Sequence, residues 1–198
     1  MRHVARRGVL GGVAAGAATL LARAAPSCAA ADPAALRAQL GDGRFALLLR
    51  HAIAPGGGDP PGFVLGDCAT QRNLSDEGRD QARRIGRHLA AAGPGIDHVL
   101  ASRWCRAQET ARLLGLGPVI PHPALDSFFA RPERGPAQLA AMRALLRDLA
   151  GARVVLVTHQ VNITGLTGIV PRSGEAVALR LPMDPDAAPI LLGTIPPP

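Results

Sequence analysis

The chain has 198 residues, 47% of them hydrophobic, which suits one globular domain with a core of ordinary size. Aromatic residues make up 3% and Tyr is absent, so the core must be built from Leu, Val, Ile and Ala. The formal net charge of +7 does not point to a nucleic-acid partner, because part of it lies in an N-terminal leader and no basic run with interleaved aromatics follows. All 22 basic residues are Arg, which together with the Ala, Gly and Pro content reads as the bias of a GC-rich genome.

Met1 to Arg7 is basic, Gly8 to Leu21 is apolar and rich in Gly and Ala, and mostly small residues run from Ala24 to Ala31. An A-x-A-like site, Ala29-Ala30-Ala31, stands ahead of Asp32, so residues 1–31 are expected to be an export signal peptide and 32–198 the mature domain. Arg6-Arg7 followed by Gly8-Val9-Leu10 resembles a twin-arginine signal. A single membrane anchor and lipidation at Cys28 are the alternatives; the shortness of the run and the context Ala25-Pro26-Ser27 argue against them. Loss of Arg2, Arg6, Arg7 and Arg23 with the leader takes the net charge from +7 to +3. The expected location is periplasmic or secreted, with no membrane span in the mature chain. Cys28 leaves with the leader. Cys68 and Cys105 remain as an even pair in an oxidising compartment and are expected to form a disulfide. No metal-ligand spacing is present, and neither a metal nor another cofactor is expected.

In the mature chain, Pro33 to Leu40 reads as a short helix capped by Asp32. Phe45-Ala46-Leu47-Leu48-Leu49 is an apolar run that stops at Arg50-His51, before the helix and strand breakers Pro55 to Pro61. Such a run predicts a strand buried on both faces, as in a parallel sheet. The Gly- and Pro-rich loop from Ala52 to Asn73 holds Asp59, Asp67, Cys68, Gln71 and Arg72, and its length marks it as functional or mobile. Ser75 caps a predicted helix to about Ala92, closed by Gly93-Pro94-Gly95. A strand over Ile96 to Ser102, a helix over Arg103 to Leu114 and a short strand over Pro118 to His122 follow. An irregular region begins at Leu125-Asp126 and includes Glu133. Pro136 opens a helix to Ala150, and Arg153 to Thr158 is a second apolar strand, again ending on a histidine, His159. A short helix from about Asn162 to Leu166 and strands over 176–181 and 190–195 complete the chain. The alternation predicts a single α/β domain of three layers, with a mostly parallel central sheet and helices on both faces.

Ligands of open α/β sheets bind outside the carboxyl ends of the strands. Arg50, His51, Arg106 and His159 each lie at, or one turn past, such an end. Two guanidiniums and two imidazoles without a metal motif describe a pocket for a dianionic tetrahedral group. Neighbouring cations keep an imidazole neutral, leaving a lone pair that can attack phosphorus while the arginines counter charge on the equatorial oxygens.

Four segments carry a family resemblance. Leu49-Arg50-His51-Ala52, Leu74-Ser75-x-x-Gly78-x-x-Gln81-Ala82, Ser102-x-x-x-Arg106-Ala107-x-x-Thr110-Ala111 and Val157-Thr158-His159 resemble, in order and spacing, the histidine phosphatase (phosphoglycerate mutase-like) superfamily. The resemblance implies phosphoryl transfer to His51, with Arg50, Arg106 and His159 binding the phosphate, and then hydrolysis without a metal. Asp67-Cys68-x-Thr70-Gln71-Arg72-Asn73-Leu74-Ser75 and Trp104-Cys105-Arg106, behind a signal sequence, resemble the exported branch that includes lipopolysaccharide core heptose phosphatases. Gln160 follows His159 where acid phosphatases and phytases have Asp. By position in the family, Asp126 is the expected general acid, with Asp59, Asp67 and Glu133 as alternatives. The expected substrate is a small phosphorylated molecule, a sugar phosphate or cell-envelope glycan phosphate. A catalytically weak phosphate-binding protein and a mutase-like phosphotransferase are the competing readings.

Overall fold

The computed structural model describes residues 1, 34, 38, 40, 41, 43–93, 95–184 and 187–198. The leader, apart from Met1, and the Asp32 cap lie outside the described residues. Of the helix expected over 33–40, Ala34, Ala38 and Leu40 are described and are helical.

Six strands, β1 (Phe45–Arg50), β2 (His98–Ala101), β3 (Val119–Pro121), β4 (Arg153–Thr158), β5 (Ala176–Arg180) and β6 (Ile190–Ile195), form one sheet in the order β3-β2-β4-β1-β5-β6. The first four strands in that order are mutually parallel, and β5 and β6 add antiparallel at the β1 edge. Helices α1 (Asp76–Ala92), α2 (Cys105–Leu114), α3 (Gly135–Asp148) and α4 (Gln160–Thr167) pack on the two faces of the sheet.

Strand alternation assigns the two faces. Phe45, Leu47 and Leu49 of β1, with Val155 and Val157 of β4, pack with Ile85 and Leu89 of α1 and Ala107, Ala111 and Leu114 of α2. Ala46 and Leu48, with Val154 and Leu156, pack on the other face with Met142, Leu145 and Leu146 of α3 and Ile163 of α4. Burial on both faces is why these strands read as unbroken apolar runs. The core is aliphatic as composition requires, with Phe45 as its aromatic member.

Two glycines let α1 approach its neighbours closely. A Cβ on Gly86 would lie 1.9 Å from the Leu114 carbonyl oxygen, and one on Gly78 would lie 2.0 Å from that of Ile53. Any larger residue at Gly86 would force α1 away from the end of α2, and one at Gly78 would displace the chain just past His51.

Candidate active site

β1 and β4 pair in parallel with Arg50 opposite Thr158, so the next residues, His51 and His159, leave the sheet side by side. Their rings meet edge to face with centroids 5.4 Å apart. The expectation that two strand-end histidines share one edge is met.

The His51 ring is fixed in orientation and in tautomer. Its Nδ1 lies 2.8 Å from the Ala52 carbonyl oxygen, which can only accept, so Nδ1 carries the proton. The lone pair is then on Nε2, where the Arg106 Nε–H donates at 3.2 Å. Burial first, then the charge of Arg106 and, less strongly, of Arg72 and Arg50, lowers the His51 pKa to about 3. His159 is also held well below its ordinary value, chiefly by burial. Both imidazoles are therefore neutral at physiological pH.

Three guanidiniums face this pair. Arg106 is buried and forms a two-point ion pair with Asp59, its two terminal nitrogens lying 2.6 and 3.2 Å from Oδ1 and Oδ2. Arg72 donates from Nε to the Gly58 carbonyl at 2.8 Å and from a terminal nitrogen to the Ala54 carbonyl. Arg50 donates to the Pro171 carbonyl at 2.9 Å, while its buried Nε has no hydrogen-bond partner among the described residues. Burial and repulsion from Arg106 lower the pKa of both Arg50 and Arg72. A cluster of cations around an unpaired buried N–H has the chemistry of an anion site.

The motif residues around the site support it rather than line it. Ser75 Oγ caps α1 by accepting from the Gly78 N–H at 3.1 Å, and Gln81 of the same helix accepts from Ile53 N–H at 3.0 Å while donating to Ser173. Thr110 of α2 accepts from the Ala52 N–H at 3.0 Å and donates to the Arg106 carbonyl at 2.7 Å, tying the segment after His51 to the helix that carries Arg106. Cys68 and Cys105 form a disulfide with Cα atoms 5.6 Å apart, as expected. Gln71 adds a hydrogen bond from the Cys105 N–H at 3.0 Å. The long loop is thereby fastened to the residue next to Arg106.

The carboxylates fall differently from the positional expectation. Asp126 is buried but does not line the cavity beside His51. Its Oδ2 accepts from Arg103 Nε at 2.7 Å, and its Oδ1 from the Arg103 N–H at 2.9 Å and the Ser102 hydroxyl at 3.3 Å. That hydroxyl lies 2.8 Å from His159 Nε2, so Ser102 links Asp126 to the His159 ring. Asp67 caps a short 3-10 turn at Cys68–Thr70 and is exposed, and Glu133 is exposed as well. Of the four carboxylates considered, Asp59 is the one in the cavity. Burial opposes its ionisation, but the bond and charge of Arg106, with the Arg72 N–H and Trp104 Nε1–H, outweigh burial and hold it below its ordinary value.

The cavity measures about 180 Å³. Besides Arg50, His51, Arg106 and His159 it is lined by Asp59, one of the alternative acids, and by Arg72, Phe63, Trp104 and Phe129. Local pattern gives no sign that these last four turn into it, because the loop that holds Phe63 and Arg72 has no periodicity. The neighbouring Cys68, whose disulfide draws the loop to α2, was the available clue. Among the described residues no group of three or more His, Cys, Asp and Glu side chains could hold a metal ion. Among them, too, no helix is long and apolar enough to cross a membrane.

A family model, the histidine phosphatase superfamily (branch 1), matches residues 48–129, which include Arg50, His51 and Arg106. Over this segment the chain is similar to that superfamily. His159, at the end of β4, lies outside the matched segment. Among solved structures the chain resembles the protein histidine phosphatase SixA complexed with tungstate, at 18% identity and a TM-score of 0.56 over 77% of this chain and 97% of that one. A mycobacterial glucosyl-3-phosphoglycerate phosphatase matches at 18% identity and a TM-score of 0.52 over 69% and 89%. The phosphoserine phosphatase of Entamoeba histolytica matches at 16% and 0.54 over 77% and 96%. At these identities the likeness is one of fold. No curated protein gives a significant match.

Proposed function

We propose that this protein is an exported, metal-independent phosphomonoesterase that works through a phosphohistidine on His51. The observation that carries the reading is the His51 ring, neutral, with its Nδ1–H committed to Ala52 and its Nε2 lone pair at a guanidinium cluster. In the first step the Nε2 lone pair attacks phosphorus, the P–O ester bond breaks, and the leaving oxygen takes a proton. In the second, water attacks the phosphohistidine, the P–N bond breaks, a proton returns to the acid, and inorganic phosphate leaves. Arg50, Arg72 and Arg106 balance the charge on the transferring oxygens in both steps, with His159 beside them. That a similarly folded phosphatase holds tungstate, a tetrahedral oxyanion, supports an oxyanion pocket here.

Asp59 is the proposed proton donor. When a phosphate dianion engages Arg106, that guanidinium exchanges the carboxylate for phosphate oxygens. Burial, the largest single influence on Asp59 and one that favours its protonated form, then acts without its main counterweight.

Export is supported by the leader pattern and by the Cys68–Cys105 disulfide, which suits an oxidising compartment. The segments Asp67 to Ser75 and Trp104-Cys105-Arg106 support placement in the exported branch that includes lipopolysaccharide core heptose phosphatases. A phosphate-binding protein with weak catalysis is favoured by one observation: the Asp59 carboxylate is engaged by Arg106, the Arg72 N–H and Trp104 at once. Phosphate release from an aryl phosphate and a panel of alkyl and sugar phosphates, with and without EDTA, separates the readings. Turnover unaffected by chelation, with an acid-labile phosphoenzyme, is expected. Binding of phosphate without turnover would leave the binding protein, and loss of activity in EDTA would overturn the metal-free mechanism.

A further inference from the structure

The rim of the cavity is apolar. Phe63 and Trp104 stand with ring centroids 5.7 Å apart, and Phe129, 60% exposed, lines the cavity with them. Apart from the histidines and the charged groups that would hold phosphate, Ser127, Gln160 and Trp104 are the lining side chains with polar atoms. The Trp104 N–H is taken by Asp59, and the Ser127 hydroxyl accepts from the Phe129 N–H. The Ser127 O–H and the Gln160 amide are the side-chain groups left to bind the hydroxyls of a sugar.

The same wall continues outward. Gln160 and Val161, at the start of α4, line both the catalytic cavity and an adjoining groove of about 430 Å³ between α4 and the start of α3. Phe128 and Leu139 are among its walls, and apart from Gln160 and Thr164 every lining residue is apolar. The Thr164 hydroxyl is engaged by the Ile169 carbonyl at 2.9 Å. In a chain with four Phe and one Trp, Phe45 is in the core, while Phe63, Trp104, Phe128 and Phe129 line the cavity or this groove.

Resting on the phosphomonoesterase reading, we propose that the alcohol carrying the phosphate is a long apolar one, with its first carbons between Phe129 and Val161 and its chain lying in the groove against Phe128 and Leu139. The charged pocket takes the phosphate and the adjoining wall takes the hydrocarbon. The sugar phosphate expected from sequence finds few partners in the same walls.

The test is a series of linear alkyl phosphates from ethyl to dodecyl, kept below their micelle concentrations, with a hexose phosphate and a generic aryl phosphate alongside. The kcat/KM is expected to rise about two- to fourfold per methylene until the groove is filled, as burial of half to all of each CH2 supplies. Hexose phosphate should fall at least about tenfold below hexyl phosphate, the loss that a few unburied methylenes produce. A flat series, or a preference for the hexose phosphate, would overturn the proposal. Leu139→Gln, remote from the reacting atoms, should flatten the rise; an unchanged slope in a folded variant would also count against the groove. If that variant does not fold, the wild-type series decides alone. Calorimetric titration with non-hydrolysable alkyl phosphonates separates the two readings. If no ester is hydrolysed, the phosphatase reading fails, while phosphonate affinity that rises with chain length still supports the groove and affinity that does not rise overturns it.

Discussion

The Asp59 carboxylate and the Arg106 guanidinium form a two-point ion pair in which the side chains are only 8% and 3% exposed, immediately beside the His51 ring. A buried pair of this kind is costly to break from one side, because the remaining charge is left without a partner. A phosphate dianion could replace the carboxylate on Arg106 without leaving that charge uncompensated. In the proposed mechanism the pair keeps the cation in place before substrate arrives and frees an acid when substrate binds.

That exchange separates the two buried aspartates. Asp59→Asn should lower kcat by about ten- to a thousandfold for alkyl esters, whose leaving group needs a proton, and by much less for aryl phosphates. Asp126→Asn should slow both classes equally, because it acts through Ser102 and Arg103. It should also lower stability by about 1 to 3 kcal/mol, as loss of a charged hydrogen-bond partner does. Rates for the two leaving-group classes with each variant, together with denaturant midpoints, check both statements. Leaving-group selectivity in Asp126→Asn instead would return the acid role to Asp126.

His51→Ala should reduce turnover by about 10⁴-fold or more and abolish the acid-labile phosphoenzyme, because no other group offers a lone pair at that point. Arg50→Ala and Arg106→Ala should each cost about 10² to 10³ in kcat through lost transition-state charge stabilisation. Rapid acid quench with a labelled substrate checks the intermediate. Activity of His51→Ala within tenfold of wild type would remove the nucleophile assignment.

The depressed His51 pKa sets a pH dependence with a definite sign. A nucleophile with a pKa of about 3 is neutral throughout the range from about pH 4 upward, so kcat/KM should show no acid limb near 6.5 once the substrate's own second ionisation is allowed for. Stability should behave otherwise. The folded state binds fewer protons than the unfolded chain between about pH 3 and 6.5, so stability is highest above that window and falls as the pH drops through it. The slope is about 1.4 kcal/mol per pH unit for one fully depressed histidine. His159 contributes in the same direction, its pKa also lying well below 6.5. Urea midpoints measured from pH 7 to pH 4 should show the decline, and His51→Ala should make it shallower.

The strands and the two histidines were legible because the information was local. A buried parallel strand is a run of apolar residues, and its carboxyl end is marked by the first polar ones, here Arg50-His51 and His159. Ser75, Gly93 and Pro136 likewise announced helix ends, and the observed boundaries lie within about two residues of the expected ones. Asp59 was legible only as one acid among several, because its role depends on contacts 45 and 47 residues away, with Trp104 and Arg106. Asp126 was singled out by position alone. Its place after the third strand suggested chemistry, and Arg103, which engages it, lies two residues before α2 and carries no local mark of that pairing. Trp104 and Phe129 were invisible as rim residues because nothing in their neighbours tells which way a loop side chain turns.

The disulfide gives the last prediction. Cys68 is exposed on the long loop, whereas Cys105 is buried at the first position of α2, one residue before Arg106. The bond closes a loop of 37 residues, for which the chain-entropy model gives about 3 to 4 kcal/mol of stabilisation. Cys68→Ser should therefore lower the unfolding free energy by about that amount, as should reduction, read from denaturant curves under two-state conditions. A catalytic effect should follow from the same tether. Asp59, Phe63 and Arg72 all lie on the loop that the bond holds against α2, so its loss should raise KM for phosphate esters more than it lowers kcat. Gln71 gives this a second arm, because its side chain accepts from the Cys105 N–H at 3.0 Å and would keep part of the docking after the bond is cut. Gln71→Ala in the Cys68→Ser background should then raise KM further than Gln71→Ala alone. Equal effects of Gln71→Ala with and without the disulfide would show that the two do not share the task of holding the loop.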